Sequence, residues 1–196
     1  MDFIDAGRGR RRVLKECVVF RSLGDIVSFE SGGTPKKSNV SFWNGTIPWI
    51  SAKTLVGEKI GSSAQNITKE GLDAGSRLAP KGSLLLLTRG SGLFKRIPLA
   101  ITERPVAYNQ DVKCLNTKDP EISNQYLFYA LKAIEPDINA ILETTGIGAG
   151  KLATDRLKML RVPILGAKER GKAVAILDSF SRKIELNNRI NDYLPA

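Results

Sequence analysis

The sequence predicts an α+β protein, a domain rich in mixed strands and short helices followed by one long C-terminal α-helix. Two observations point there. Short strand-like runs and short helical stretches follow one another without the regular strand, helix, strand rhythm that a parallel nucleotide-binding sheet requires. From Ala167 to Leu194 there is no proline and a single glycine, Gly171, while apolar residues recur at spacings of three and four. That spacing is the signature of an amphipathic helix.

These features divide the chain into a basic N-terminal arm over 1–17, a sheet-rich domain over 18–165 and a long helix over 166–196. Arg8, Arg10, Arg11, Arg12 and Lys15 make the arm basic, and Gly7 and Gly9 interrupt it. It reads equally as a phosphate contact or as a solvated tail. Val18 to Phe29 alternates weakly, and Gly32-Gly33-Thr34-Pro35 opens a loop. Asn44-Gly45 is a turn signal leading into a short strand over 47–51. "LLLLT" at 84–88 is a fully buried strand by its length and its Pro and Gly flanks. Residues 98–109 read as two strands around Glu103-Arg104-Pro105, and 111–116 as another. Residues 127, 128, 131 and 134 are apolar at helical spacing, with Pro136 ending that helix. Thr154-Asp155 caps a short turn before the strand "RVPIL" at 161–165.

The charge balance narrows the function. Thirty Lys and Arg against 20 Asp and Glu leave a net charge of +10, and a polyanionic partner is the commonest reason to tolerate such self-repulsion. There is no histidine, so His-activated nucleophiles and His proton transfer are excluded. Two cysteines, Cys17 and Cys114, without histidine do not build the usual four-ligand zinc site and read as reduced structural residues. Apolar runs such as Leu84 to Leu87 fall far short of the roughly 20 residues a membrane span needs, and the acidic start lacks a secretory pattern. The expectation is a soluble cytoplasmic protein with no metal and no cofactor.

One stretch, "TTGIGAGKLAT" at 144–154, has the composition of a phosphate loop. A Walker-type loop needs glycine where Thr145 stands and Ser or Thr where Leu152 stands. The dinucleotide pattern needs a third glycine at Lys151, and a preceding strand is missing because "INAILET" reads as the end of a helical region. Pro136-Asp137 is followed by no Glu-x-Lys of the kind metal-dependent nucleases use, and the absence of Pro-Pro removes the motif of amino-methyltransferases. A binder is expected rather than a catalyst.

Six segments then occur in a recognisable order: 23–55 ("LGDIVSFESGGTPKKSNVSFWNGTIPWISAKTL"), 67–92, 108–116, 124–134, 144–165 and 175–191 ("AILDSFSRKIELNNRIN"). Together they resemble a target-recognition domain, with its following conserved helix, of specificity (S) subunits of type I restriction-modification systems. The resemblance covers nearly the whole chain. It departs from the family in holding one recognition domain and one helix instead of two of each, which implies a half-subunit or a piece of a longer chain. The family's Pro-Pro and Glu-Gln pair before the final helix is replaced by "VPILGAKERGKAVAIL" at 162–177.

The resemblance implies a non-catalytic subunit that binds one half of a split double-stranded DNA target. It also implies methyltransferase (M) and restriction (R) subunits as partners, with homodimerisation through the helix if the chain is a half-subunit. A protein-interaction adaptor, or a recognition domain cut from a bifunctional restriction-methylation enzyme, are the competing readings. DNA contact is expected from Thr34, Lys36, Lys37, Ser38 and Asn39, from Thr88, Arg89, Ser91, Lys95 and Arg96, and from Asn109, Gln110 and Lys151. Asn109-Gln110 reads either as an adenine contact or as a structural turn, Lys151 as a phosphate contact or part of a turn, and Trp43 and Trp49 as base contacts or packing. Leu177, Phe180, Ile184, Asn187, Asn191 and Leu194 form one helical seam, in which the asparagines set register and partner.

Overall fold

In a computed structural model of the chain, residues 18–146 and 148–193 are described. The basic arm and Leu194 lie outside them. Contacts divide the described residues into two compact units, one spanning Ser22–Val162 and the other combining 18–21 with 163–193.

The larger unit holds three sheets. The first orders β2 (Val27–Ser31), β11 (Val112–Thr117), β7 (Leu84–Leu87), β9 (Leu99–Thr102) and β4 (Lys59–Ile60), antiparallel except for β4 on β9. Leu84 to Leu87 are at most 1% exposed, as expected of an apolar run in a central strand covered on both faces. After the short helices α1 (Leu23–Ile26) and α2 (Lys69–Gly75), helix α3 (Asn124–Ala133) contributes buried Tyr126, Leu127, Phe128, Ala130 and Leu131. Ser123 starts it as N-cap by accepting a hydrogen bond from the Tyr126 N–H at 3.1 Å.

The second sheet orders β5 (Asn66–Ile67), β3 (Trp43–Ile50), β10 (Val106–Tyr108) and β6 (Arg77–Ala79), with β3 and β10 parallel. Trp49, Ile67 and Ala107 form its buried cluster, joined by Trp43, Ile47 and Leu72. The two strands expected over 98–109 are present as β9 and β10, but Glu103-Arg104-Pro105 carries the chain from one sheet to the other.

Local signals are overturned at three places. Asn44-Gly45 makes no hairpin turn, because Trp43 and Ile47 both register with Ile67 and the residues between them bulge within one strand. Ahead of Pro136, by contrast, α3 does stop, at Ala133, and the proline then occupies the first turn of a second helix, α4 (Glu135–Ala140), where its missing N–H costs nothing. Thr154 does not cap α5 (Thr154–Met159), since the N-cap position falls on Ala153 and carries no side-chain bond. A strand does precede the glycine stretch: β12 (Leu142–Thr144) pairs with β13 (Gly150–Leu152), and β13 pairs with β8 (Arg89–Gly90).

Strands β1 (Val18–Ser22) and β14 (Arg161–Leu165), along which the chain passes the divisions after Arg21 and Val162, form a two-stranded sheet. Helix α6 (Ala167–Tyr193) follows, 27 residues long. Phe180 is 57% exposed and Ile184 61%, and Ile176, Leu177, Leu186 and Ile190 are exposed as well. Asn187 and Asn191 lie exposed on the same helix. Among the described residues no helix is long and apolar enough to cross a membrane.

Candidate nucleic-acid interface

The loop after β2 is shaped by what its glycines and tryptophans touch. A Cβ at Gly32 would lie 2.1 Å from the Tyr108 carbonyl oxygen and 2.6 Å from that of Asn109, and one at Gly33 would lie 2.2 Å from the Gly75 oxygen. Only glycine allows so close a backbone approach. The Gly33 N–H donates to the Tyr108 carbonyl at 2.9 Å. Trp49, 4% exposed, donates its indole N–H to the Gly33 carbonyl at 3.1 Å, and Trp43 donates to that of Lys36 at 3.4 Å. Their rings meet edge to face at 5.3 Å and 84°. The tryptophans therefore pack and hold the loop, leaving Lys36, Lys37 and Ser38 exposed at its tip. Asn39 is occupied in capping the following 3₁₀ turn, its Oδ1 accepting from the Ser41 N–H at 3.2 Å.

A second segment meets this loop. The Thr34 hydroxyl donates to Gln110 Oε1 at 2.6 Å, joining two of the expected residues that lie 76 positions apart. Asn109 is 5% exposed, with its Oδ1 accepting from the Asp111 N–H and its Nδ2 donating to Asp111 Oδ2, both at 3.1 Å. Both polar atoms of its amide are thus bonded within the turn that presents Gln110. The Asp111 carbonyl accepts from the Thr88 N–H at 2.8 Å and the Thr88 hydroxyl at 3.0 Å. Thr88 is 6% exposed, and its own carbonyl accepts from the Leu152 N–H at 2.9 Å. A path thus runs from Thr34 by hydrogen bond to Gln110, along the chain to Asp111, and by hydrogen bonds through Thr88 to Leu152 of the glycine hairpin.

In that hairpin Glu143, Lys151 and Arg89 are register partners in one row across β12, β13 and β8. Residues directly opposite in antiparallel strands share a face, so Lys151 and Arg89 project together. Glu143 pairs with Arg156 at 3.1 Å. The three glycines have different roles. Gly148 takes φ +76° in the turn closed by the Thr145 N–H on the Ala149 carbonyl at 2.8 Å. At Gly150 a Cβ would lie 2.9 Å from Leu93 Cβ, while Gly146 has open space. The 3₁₀ turn Ser91–Phe94 carries exposed Ser91, and Lys95 and Arg96 follow it, both donating N–H groups to the Gly92 carbonyl.

Among the described residues, no carboxylate lies within ion-pairing distance of Lys36, Lys37, Arg89, Lys95, Arg96 or Lys151. Cations elsewhere are engaged, such as Arg77 with Glu30 and Lys132 with Glu58 and Glu135. Beneath the interface, burial pushes the Tyr108 phenol far above its usual range, with Cys114 and Glu30 adding to the effect. Its hydroxyl oxygen has no hydrogen bond of normal geometry. Tyr108 and Asp111 were not among the expected site residues. The Gly32-Gly33 pair signals that some backbone must come close, but not which one.

Residues 15–196 match the family model described as the type I restriction modification DNA specificity domain. The chain belongs to that family. A specificity subunit of a type I restriction enzyme from Escherichia coli is 32% identical over 180 residues, covering 91% of this chain and 44% of that protein. One from Methanocaldococcus jannaschii is 28% identical over 180 residues, covering 89% of this chain and 40% of that one. The specificity domain thus spans less than half the length of these relatives. The crystal structure of a type I restriction-modification S subunit from M. genitalium shares its fold, with a TM-score of 0.63 at 18% identity over 89% of this chain and 44% of that one.

Proposed function

We propose that this chain is the DNA-reading part of a type I restriction-modification specificity subunit, binding one half of a split double-stranded target without catalysing a reaction. The observation that carries this is the path joining Thr34, Gln110, Thr88 and the hairpin, edged by cations without carboxylate partners. Such cations neutralise phosphates and set the register, while Gln110 and Ser38 offer groups for base edges. The recognition domain is the expected 18–165 and 166–196 the spacer. Leu177, Phe180, Ile184, Asn187 and Asn191 pair there with a second long helix, from another copy or from elsewhere in a longer chain. Methyltransferase and restriction subunits are its partners, in the cytoplasm beside the chromosome.

The test is DNA binding across salt concentrations by the full chain reconstituted with its methyltransferase subunits. Lys36→Ala, Arg89→Ala and Lys151→Ala should each lower the slope of log affinity against log salt by about 0.9. Affinity should fall alike on all sequences. Unchanged slopes in all three refute the assignment. A protein-interaction adaptor would show no sequence preference at any salt concentration.

A further inference from the structure

We propose that a hollow beside the candidate interface reads the major-groove edge of an adenine, with Gln65 as the reading side chain. This rests on the DNA-reading function proposed above. The hollow, of about 380 Å³, is lined by Lys37, Trp43, Asn44, Ala64, Gln65 and Asn66; the sequence drew attention to Lys37 and Trp43 alone among these.

The bulge in β3 creates it. Trp43 and Ile47 share Ile67 as register partner, so Asn44 to Thr46 are thrown out of the ladder. A Cβ on Gly45 would lie 2.3 Å from the Ile67 carbonyl oxygen, which presses the bulge against β5 and turns Asn44 outward, exposed. Asn44 is the one described non-glycine residue with positive φ, at 61°. Left-handed backbone costs most side chains about 1–2 kcal/mol, and asparagine among the least. Trp43 ties this wall to the interface loop through its hydrogen bond to the Lys36 carbonyl.

The opposite wall is rigid. The Gln65 carbonyl accepts from the Trp49 N–H at 2.8 Å, and its own N–H donates to Ser63 Oγ at 3.3 Å. Ser63 Oγ in turn donates to the Trp49 carbonyl at 2.7 Å. From this fixed backbone the Gln65 side chain is exposed. Among the described residues the side-chain amides of Asn44, Gln65 and Asn66 have no hydrogen-bond partner. A carboxamide carries a donor and an acceptor side by side. Adenine presents the complement in the major groove, the N7 acceptor beside the N6 amino donor. Lys37 at the rim supplies a phosphate contact that sets the register, and Asn44 flanks the base.

The experiment selects duplexes from a randomised pool with the full chain and its methyltransferase subunits. Wild type should enrich a motif containing an adenine whose replacement by 7-deazaadenine, which lacks N7, weakens binding about 10- to 100-fold. Gln65→Ala should accept any base at that position, become indifferent to the deaza substitution and keep its affinity for non-specific DNA. Gln65→Glu should shift the preference there to cytosine, whose N4 amino group donates to a carboxylate; a misfolded variant cannot mimic that gain. A motif that survives Gln65→Ala unchanged, or a loss equal on all sequences, overturns the inference and leaves DNA reading standing. Enrichment of no motif by wild type overturns both.

Discussion

Replacing Gly32 by alanine should be the most damaging single-methyl change in the larger unit. The added Cβ would meet the Tyr108 carbonyl oxygen at 2.1 Å, Tyr108 Cδ2 at 2.5 Å and the Asn109 carbonyl oxygen at 2.6 Å. Carbon and oxygen without a covalent bond rest about 1 Å further apart than the shortest of these, and two of the three atoms are backbone, which no rotamer change can move. The Tyr108 oxygen that must yield accepts hydrogen bonds from the Gly33 N–H at 2.9 Å and the Ser76 hydroxyl at 3.1 Å. Overpacking together with the weakening of both bonds comes to about 3–5 kcal/mol. With a urea slope near 2 kcal/mol per molar, the unfolding midpoint should fall by about 2 M. Gly146→Ala is the matched control, because open space surrounds that position, and it should stay within about 0.5 kcal/mol of wild type. A Gly32→Ala protein that unfolds within about 1 kcal/mol of wild type would refute the reading that backbone contact at Gly32 shapes the interface.

The domain should also lose stability in alkali. Burial raises both the Cys114 thiol and the Tyr108 phenol from ordinary values of 9.0 and 10.0, so the fold favours their neutral forms. Their contribution is full below those values and is lost as pH rises toward the higher folded values. Lys113, lowered from 10.5 by burial first and by Lys158 second, works in the opposite direction as pH approaches that value. Cys114→Ala should flatten the alkaline fall in urea midpoint, and a limb as steep as that of wild type between about pH 8 and 10 would exclude the thiol. On α6, Phe180→Asp or Ile184→Asp should abolish helix-mediated assembly in sedimentation experiments while leaving the melting of the larger unit unchanged, since both side chains are exposed. An unaltered sedimenting mass would show that the seam has no partner.

Elements whose character is set by their own residues were legible before the structure. Leu84 to Leu87 could hardly be anything but a central strand, and the proline-free spacing after Ala167 predicts the observed helix. Elements made by distant partners were not. Leu142 to Thr144 is too short to show a period and is a strand because Gly150 to Leu152 pairs with it, held in turn by Arg89 and Gly90 some sixty residues away. Asn44-Gly45 has the chemistry of a hairpin turn, but pairing with Ile67 on both sides of it overrides local preference. At the candidate interface, residue type indicated where cations gather, while hydrogen bonding divided the neutral residues. Asn109 and Thr88 are occupied within the fold, and Gln110 stands at the surface. Gln65, an isolated polar residue before a two-residue strand, carries no local signal of the role proposed for it.

The two-stranded pairing of β1 with β14 has an evolutionary consequence. Just inside it, the Leu23 N–H donates to the Leu160 carbonyl at 2.9 Å, so the polypeptide enters and leaves the larger unit at one point. A segment whose ends meet can be exchanged for another of different length or loop chemistry without altering the strands that flank it. Recombination with crossovers near Arg21 and Pro163 would then exchange the larger unit as one piece in a single event and leave the residues that follow it in sequence unchanged.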